Sequence, residues 1–291
     1  MTWPALTEYL LNGFVMGTLY VLMAIGLSLI FGMIGIINFC HGILFTLGAY
    51  AAVALKGSLG FGPSLVVSPL LVGSLGMLIE VVFLRRLYRE DPVAGLLLTF
   101  GLAMVAEQLV RIVWGTSGLP YNIPEGLTGA LPMGAFVYPK YRYFILVCAV
   151  AIIAGLWWVL EKTPYGMIIR AGSRDGEMVR ILGISLRPIF TFVFGLGTAL
   201  AAIAGVLMAP VAGVQPAMGT DVGTAAFVVV TIGGLGSFWG AVIAGILVGE
   251  VVSLSILVWP PIAQASMYIL MAVVLLTRPR GLLGERWEKF E

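Results

Sequence analysis

The sequence predicts an all-α polytopic membrane protein, with eight or nine transmembrane or half-membrane helices, some of them broken at glycine. Three observations carry this prediction. Of 291 residues, 60% are hydrophobic and only 10% charged, with a mean hydropathy of +1.06; lipid is the main solvent of such a chain. Runs such as 66–84 and 144–160 are long enough to cross a hydrocarbon core of about 30 Å at roughly 1.5 Å per residue. Strands that alternate apolar and polar residues, the mark of a membrane barrel, are missing from the sequence.

Glycine, proline and charge divide the apolar runs into segments near 10–31, 38–56, 64–84, 93–114, 142–160, 188–212, 224–235, 240–258 and 262–277. The seventh is too short for a full crossing. "IGGLGSFWG" after it either bends one helix or separates two short ones. The N-terminal "MTWPALTEYLLNG" has neither a basic stretch nor a small-residue cleavage site, so it is not read as a cleaved signal. Cys40 and Cys148 lie in apolar segments and read as small hydrophobes. No metal-ligand spacing involves them or His41.

Basic residues set the orientation. Arg85, Arg86 and Arg89 share one loop, Lys162, Arg170, Arg174, Arg180 and Arg187 a second, and Arg278, Arg280, Arg286 and Lys289 the tail. Alternating nine segments puts all three groups on one side, expected to be the cytoplasm, with the N-terminus outside and the C-terminus inside. The loop 115–141, rich in turn residues, is expected outside. The whole of 1–291 reads as one integral-membrane domain with a cytoplasmic loop at about 161–187. "FGMIGIINFCHGILFTLGAYAA" and "TIGGLGSFWGAVIAGILVGEVV" echo each other as a glycine-interrupted break followed by a small-residue helix. Paired breaks in two halves of a chain point to transport architecture; frequent glycine in membrane helices is the plainer explanation.

"AGSRDGEMVRILGISLRP" concentrates charge in this oily chain. Ser173 is a candidate N-cap, Asp175 and Glu177 occupy the expected first turn, Arg180 the last, and Gly183 the left-handed stop. Met178, Ile181 and Leu182 form an apolar stripe. From these residues alone the helix is either an interfacial element on the headgroups or a docking element for a cytoplasmic partner.

"YVLMAIGLSLIFGMIGIINFCHGILFTLGAYAA", "GMIIRAGSRDGEMVRILGIS" and "GGLGSFWGAVIAGILVGEVV" together resemble the permease subunits of branched-chain amino acid ABC importers, over nearly the whole chain and in the expected order. The length resembles the shorter, Liv-type member of the permease pair. The resemblance implies a cytoplasmic coupling helix seated on an ATPase, with Arg174, Asp175, Glu177, Met178, Arg180, Leu182, Gly183 and Ile184 at the contact. It also implies a second permease, two ATPase subunits that bind ATP and magnesium, an external substrate-binding protein and a bacterial inner-membrane location. The chain itself is expected to hold no cofactor, since no GxxxxGK[ST] phosphate loop occurs in it.

Glu107 and Arg111 lie four apart on one face of a span. They read either as contacts for a zwitterion or a gate, or more plainly as a self-neutralising pair. Asn38 and His41 sit at the first break, as cavity or gate residues or, more plainly, as a cap and an interhelical hydrogen bond. Glu250 is an isolated acid of a span, in the pathway or reaching to the interface. Small residues at four-residue spacing, Gly236, Gly240 and Ala244 beside Ala241, Gly245 and Gly249, read as close-packing rows.

No catalytic set is visible, because His41 and Cys40 are adjacent and diverge on a helix. No basic nucleic-acid patch occurs either. The expected function is therefore a non-enzymatic importer permease for branched-chain or related neutral amino acids. The same machine carrying urea or short amides is the alternative cargo. A self-sufficient secondary transporter is the alternative class, and would be expected to bury coupling carboxylates near the bilayer centre.

Overall fold

The structure is a computed structural model and describes residues 3–88, 90–133 and 136–284. Arg89, Arg286 and Lys289 lie outside the described residues. Helices occupy Trp3–Ile34 (α1), His41–Leu59 (α2), Phe61–Val82 (α3), Pro92–Trp114 (α4), Lys140–Lys162 (α5), Pro164–Arg174 (α6), Gly176–Ile181 (α7), Leu186–Ala212 (α8), Met218–Gly233 (α9), Phe238–Val258 (α10) and Ala263–Thr277 (α11). Among the described residues eight spans are long and apolar enough to cross a membrane, those of α1–α5, α8 and α10 and the stretch Pro260–Thr277 that ends in α11, and α9 is a shorter apolar helix.

The centre is built from α1, α8 and α10, with α2, α3 and α9 around them. Both α1 and α8 are mostly buried, whereas α4 and α5 expose most of their surface. α1 and α10 meet through glycine: Gly249 lies on Gly13 and Gly17, and Gly245 on Val21. Small residues at this crossing bring two backbones together, the usual basis of tight helix pairs in lipid. The Ala241, Gly245 and Gly249 row thus lies within the chain's own helix bundle, and Gly240 approaches Gly233 of α9. Gly236 departs from the row expected for it. It is exposed in the turn between α9 and α10, with φ of 82°. Positive φ at both Gly234 and Gly236 ends α9, and Ser237 then caps α10 by accepting from Gly240 N at 3.1 Å. Residues 224–258 therefore hold two separate helices.

Two breaks position the middle of the molecule. After α1 the chain turns at Gly35, with φ of 78°, and residues 35–40 have no regular structure. They lead back along α1, so that His41 Nε2 donates to the Met23 carbonyl at 3.1 Å. That point is about 16 Å short of the end of α1 at 1.5 Å per residue, so α2 begins inside the bilayer. Thr99 of α4 steadies the segment by accepting from Phe39 N at 3.2 Å. The second break, 213–217, starts at the other end of the bundle, where Val214 pairs with Leu119 through bonds of 2.8 and 3.0 Å. It delivers the start of α9 against the start of α2. A Cβ on Gly42 would overlap the Gly219 carbonyl oxygen, and one on Gly219 the Gly42 carbonyl oxygen. Unpaired backbone at this depth is tolerated where protein or a cavity, not lipid, surrounds it.

Contacts sort the connections onto two ends. At one, Arg85 reaches Thr191, Arg170 and Arg174 border the same cavity as Gly236, and Leu282 N donates to the Ile232 carbonyl. At the other, Lys56 donates to the Asn122 carbonyl at 3.3 Å, and Tyr138 and Arg142 both donate to Asn12 Oδ1. The region 115–139 at this end includes an antiparallel hairpin, Ala130–Met133 (β1) with Phe136–Pro139 (β2). The arginine-rich connections thus share one end of the bundle.

Candidate functional site

The charged helix α7 lies at the arginine-rich end, between α6 and α8. Asp175, not Ser173, is its N-cap: Asp175 Oδ1 accepts from Met178 N at 2.9 Å. Ser173 belongs to α6 and donates back to the Arg170 carbonyl. The sequence reading passed over α6, although its start signals are present. Thr163 caps it by accepting from Gly166 N, and Pro164 follows at the position where a missing N–H costs nothing. The reading placed Glu177 in the first turn of α7 and Arg180 in the last, and both lie there; Gly183 has φ of 83°. Gly183 N and Ile184 N donate to the carbonyls of Arg180 and Val179, which closes the C-terminus.

α7 is held by one buried side chain, Val179. Met178, Ile181 and Leu182 are 53%, 74% and 71% exposed, alongside exposed Glu177 and Arg180. The helix thus presents an apolar ridge framed by charge. Asp175→Ala removes its cap, a loss of about 1 kcal/mol. Amide exchange over 176–181 is then expected to quicken about fivefold relative to α8, as read by mass spectrometry.

At the same end of the bundle lies a cluster that the sequence reading missed. Glu80, at the end of α3, is fully buried. Arg85 donates to its carboxylate from Nε at 3.2 Å and Nη2 at 3.0 Å, Tyr88 at 2.6 Å, and Thr191 of α8 at 2.7 Å. Burial first, then the bond to Glu80, pushes the Tyr88 phenol well above its usual range and keeps it a donor. This cluster ties α3 to the first turns of α8, the helix that α7 leads into.

The remaining candidates separate into two places. Asn38, His41 and Glu107 line one cavity of about 300 Å³ between α2, α4 and α9. Arg111 donates to Glu107 Oε1 at 2.6 Å, and Thr220 of α9 faces Glu107 Oε2 at 3.5 Å. Asn38 Oδ1 accepts from Cys40 N at 3.0 Å, ahead of α2. On the side of the cavity toward Thr99, Phe39 meets Phe100 edge-on at 6.3 Å and stacks on Phe227 at 6.1 Å. Glu250 is not part of this cavity; it packs against Gly13 of α1, with Oε2 lacking a hydrogen-bond partner.

The sequence profile of the family described as "Branched-chain amino acid transport system / permease component" matches residues 9–277. The chain is 29% identical to the high-affinity branched-chain amino acid transport system permease protein BraD of Pseudomonas aeruginosa, over 95% of each chain. It is 28% identical to LivH of Escherichia coli K12, again over 95% of each. With the permease LivM of the same strain it shares 27% identity, over 91% of this chain and 68% of LivM. Eight apolar membrane-length helices, two breaks meeting at depth and this match over nearly the whole length agree: the chain belongs to the branched-chain amino acid transport permease family, as a multi-pass membrane transport component rather than an enzyme.

Proposed function

We propose that this chain is the shorter permease subunit of an ATP-driven importer for branched-chain or related neutral amino acids. It would act in the bacterial inner membrane beside a second permease, above two ATPase subunits, and receive cargo from an external binding protein. ATP and magnesium would be held by the ATPases. Positive-inside bias then makes the arginine-rich end cytoplasmic, with the N-terminus outside and the C-terminus inside.

The observation that carries this reading is α7. A helix of six residues, capped at both ends and exposing Met178, Ile181 and the following Leu182 beside the charges of Glu177 and Arg180, is suited to enter a cleft in a partner. Its push passes directly into α8, which the Glu80 cluster locks to α3. ATPase closure would so move buried helices rather than a loose loop.

The test is ATP-dependent uptake of labelled leucine and labelled urea in proteoliposomes of the co-purified complex, comparing wild type with Arg180→Glu and Glu177→Lys. Loss of uptake together with loss of ATPase co-purification is expected for both variants, with leucine the label carried by wild type. Normal uptake in both would end the coupling assignment. Urea as the carried label would change the cargo, and uptake by this chain alone without ATP would make it a carrier.

A further inference from the structure

We propose that the cavity between α2, α4 and α9 is a subsite for the zwitterionic head of an α-amino acid with an apolar side chain; this rests on the transport reading above. Three groups on its walls match the three parts of such a molecule. The first is a pair of helix N-termini. α2 and α9 begin at the same depth and touch at Gly42 and Gly219, and neither start has a side-chain cap. Their aligned peptide dipoles place partial positive charge on first-turn N–H groups, which favours a carboxylate. In a low-dielectric surrounding that preference is far stronger than in water.

The second observation, independent of the helix ends, is Asn38. It borders the cavity and is 3% exposed. Because Oδ1 accepts from Cys40 N, the amide nitrogen points away from that bond, and Nδ2 has no hydrogen-bond partner. An unpaired buried donor costs about 1–3 kcal/mol, a cost that a carboxylate acceptor would remove. The third is Glu107, the acid of the cavity wall, which Arg111 and Thr220 hold in place. One Glu107 oxygen engages Arg111 and the other faces Thr220 only at 3.5 Å, so the carboxylate retains capacity to receive an ammonium. Phe39, Phe100 and Phe227 supply the apolar surface for an aliphatic side chain.

Urea lacks both charges and would use neither the dipoles nor Glu107 to the same effect. The cavity therefore favours the amino acid over the amide within the same machine.

The experiment uses the full complex with its ATPases and leucine-loaded binding protein in proteoliposomes, and reads leucine delivered per ATP hydrolysed. Glu107→Gln and Asn38→Leu are each expected to lower that ratio about tenfold, the factor corresponding to roughly 1.4 kcal/mol. A second variant exchanges the pair, Glu107→Arg with Arg111→Glu. It keeps a helical ion pair but moves the acid one turn away, and its ratio is expected to stay low. An unchanged ratio in both single variants, or a restored ratio in the exchange, overturns the subsite. Absence of ATP-driven leucine uptake in wild type overturns the transport reading itself, and the subsite with it.

Discussion

Gly249→Leu is expected to abolish a stable, monodisperse protein in detergent, while Gly155→Ala is expected to behave as wild type. A Cβ at Gly249 would overlap the Gly13 carbonyl oxygen and the Gly17 backbone, whereas one at Gly155 meets nothing within 4 Å. Backbone cannot swing aside as a flexible side chain does, so α1 and α10 would have to separate along the contact that forms the centre of the bundle. Extra methylenes in a well-packed core typically cost about 1–3 kcal/mol, and a whole leucine against two glycines lies at or beyond the upper end. Size-exclusion chromatography and thermal melting of the purified chain measure this directly. A wild-type profile for Gly249→Leu would mean that the α1–α10 contact does not hold the protein together.

The second large effect concerns Glu80. Arg85→Ala leaves a fully buried carboxylate with only the Tyr88 and Thr191 hydroxyls. Breaking a buried ion pair from one side costs on the order of 3 kcal/mol, because the remaining charge is left unneutralised, and the partial exposure of Arg85 places this case toward the low end. Replacing both, as Glu80→Leu with Arg85→Leu, removes the charge problem and is expected to recover most of the lost melting temperature. The double variant should nevertheless transport poorly, since the polar tie between the end of α3 and the first turns of α8 is gone and only the apolar packing of Gly73 and Gly76 against α8 joins them. Single and double variants with equal melting temperatures would contradict this account.

Much of this arrangement is legible in the sequence where the signal is local. Apolar runs bounded by glycine and charge give most of the spans. Glu107 and Arg111 announce their contact by a spacing of four. The Glu80 cluster was not legible in the same way, because Thr191 joins it from 111 positions along the chain. The start of α9 was hidden for a different reason. "MGTDVGT" reads as a polar loop, but Thr220 and Thr224 line the cavity between helices, so their polarity marks the path rather than a turn. For α6, the threonine–proline start is present in the sequence, immediately ahead of the charged stretch. The direction of the glycine rows needed the fold, since sequence spacing shows a smooth face but not its neighbour.

The depth at which α2 and α9 begin bears on how the chain enters a membrane at all. At 16 residues, α9 is about 24 Å long, shorter than a hydrocarbon core of about 30 Å. Its leading segment, 213–217, carries backbone that lipid cannot satisfy, and α2 has the same problem at 35–40. Neither of these two irregular segments can rest in lipid by its own partitioning. Each needs the other's first turn as its neighbour, yet 177 positions separate His41 from Met218. The start of α2, which meets α1 only through His41 and the Met23 carbonyl, is therefore expected to be completed only after α9 has been made.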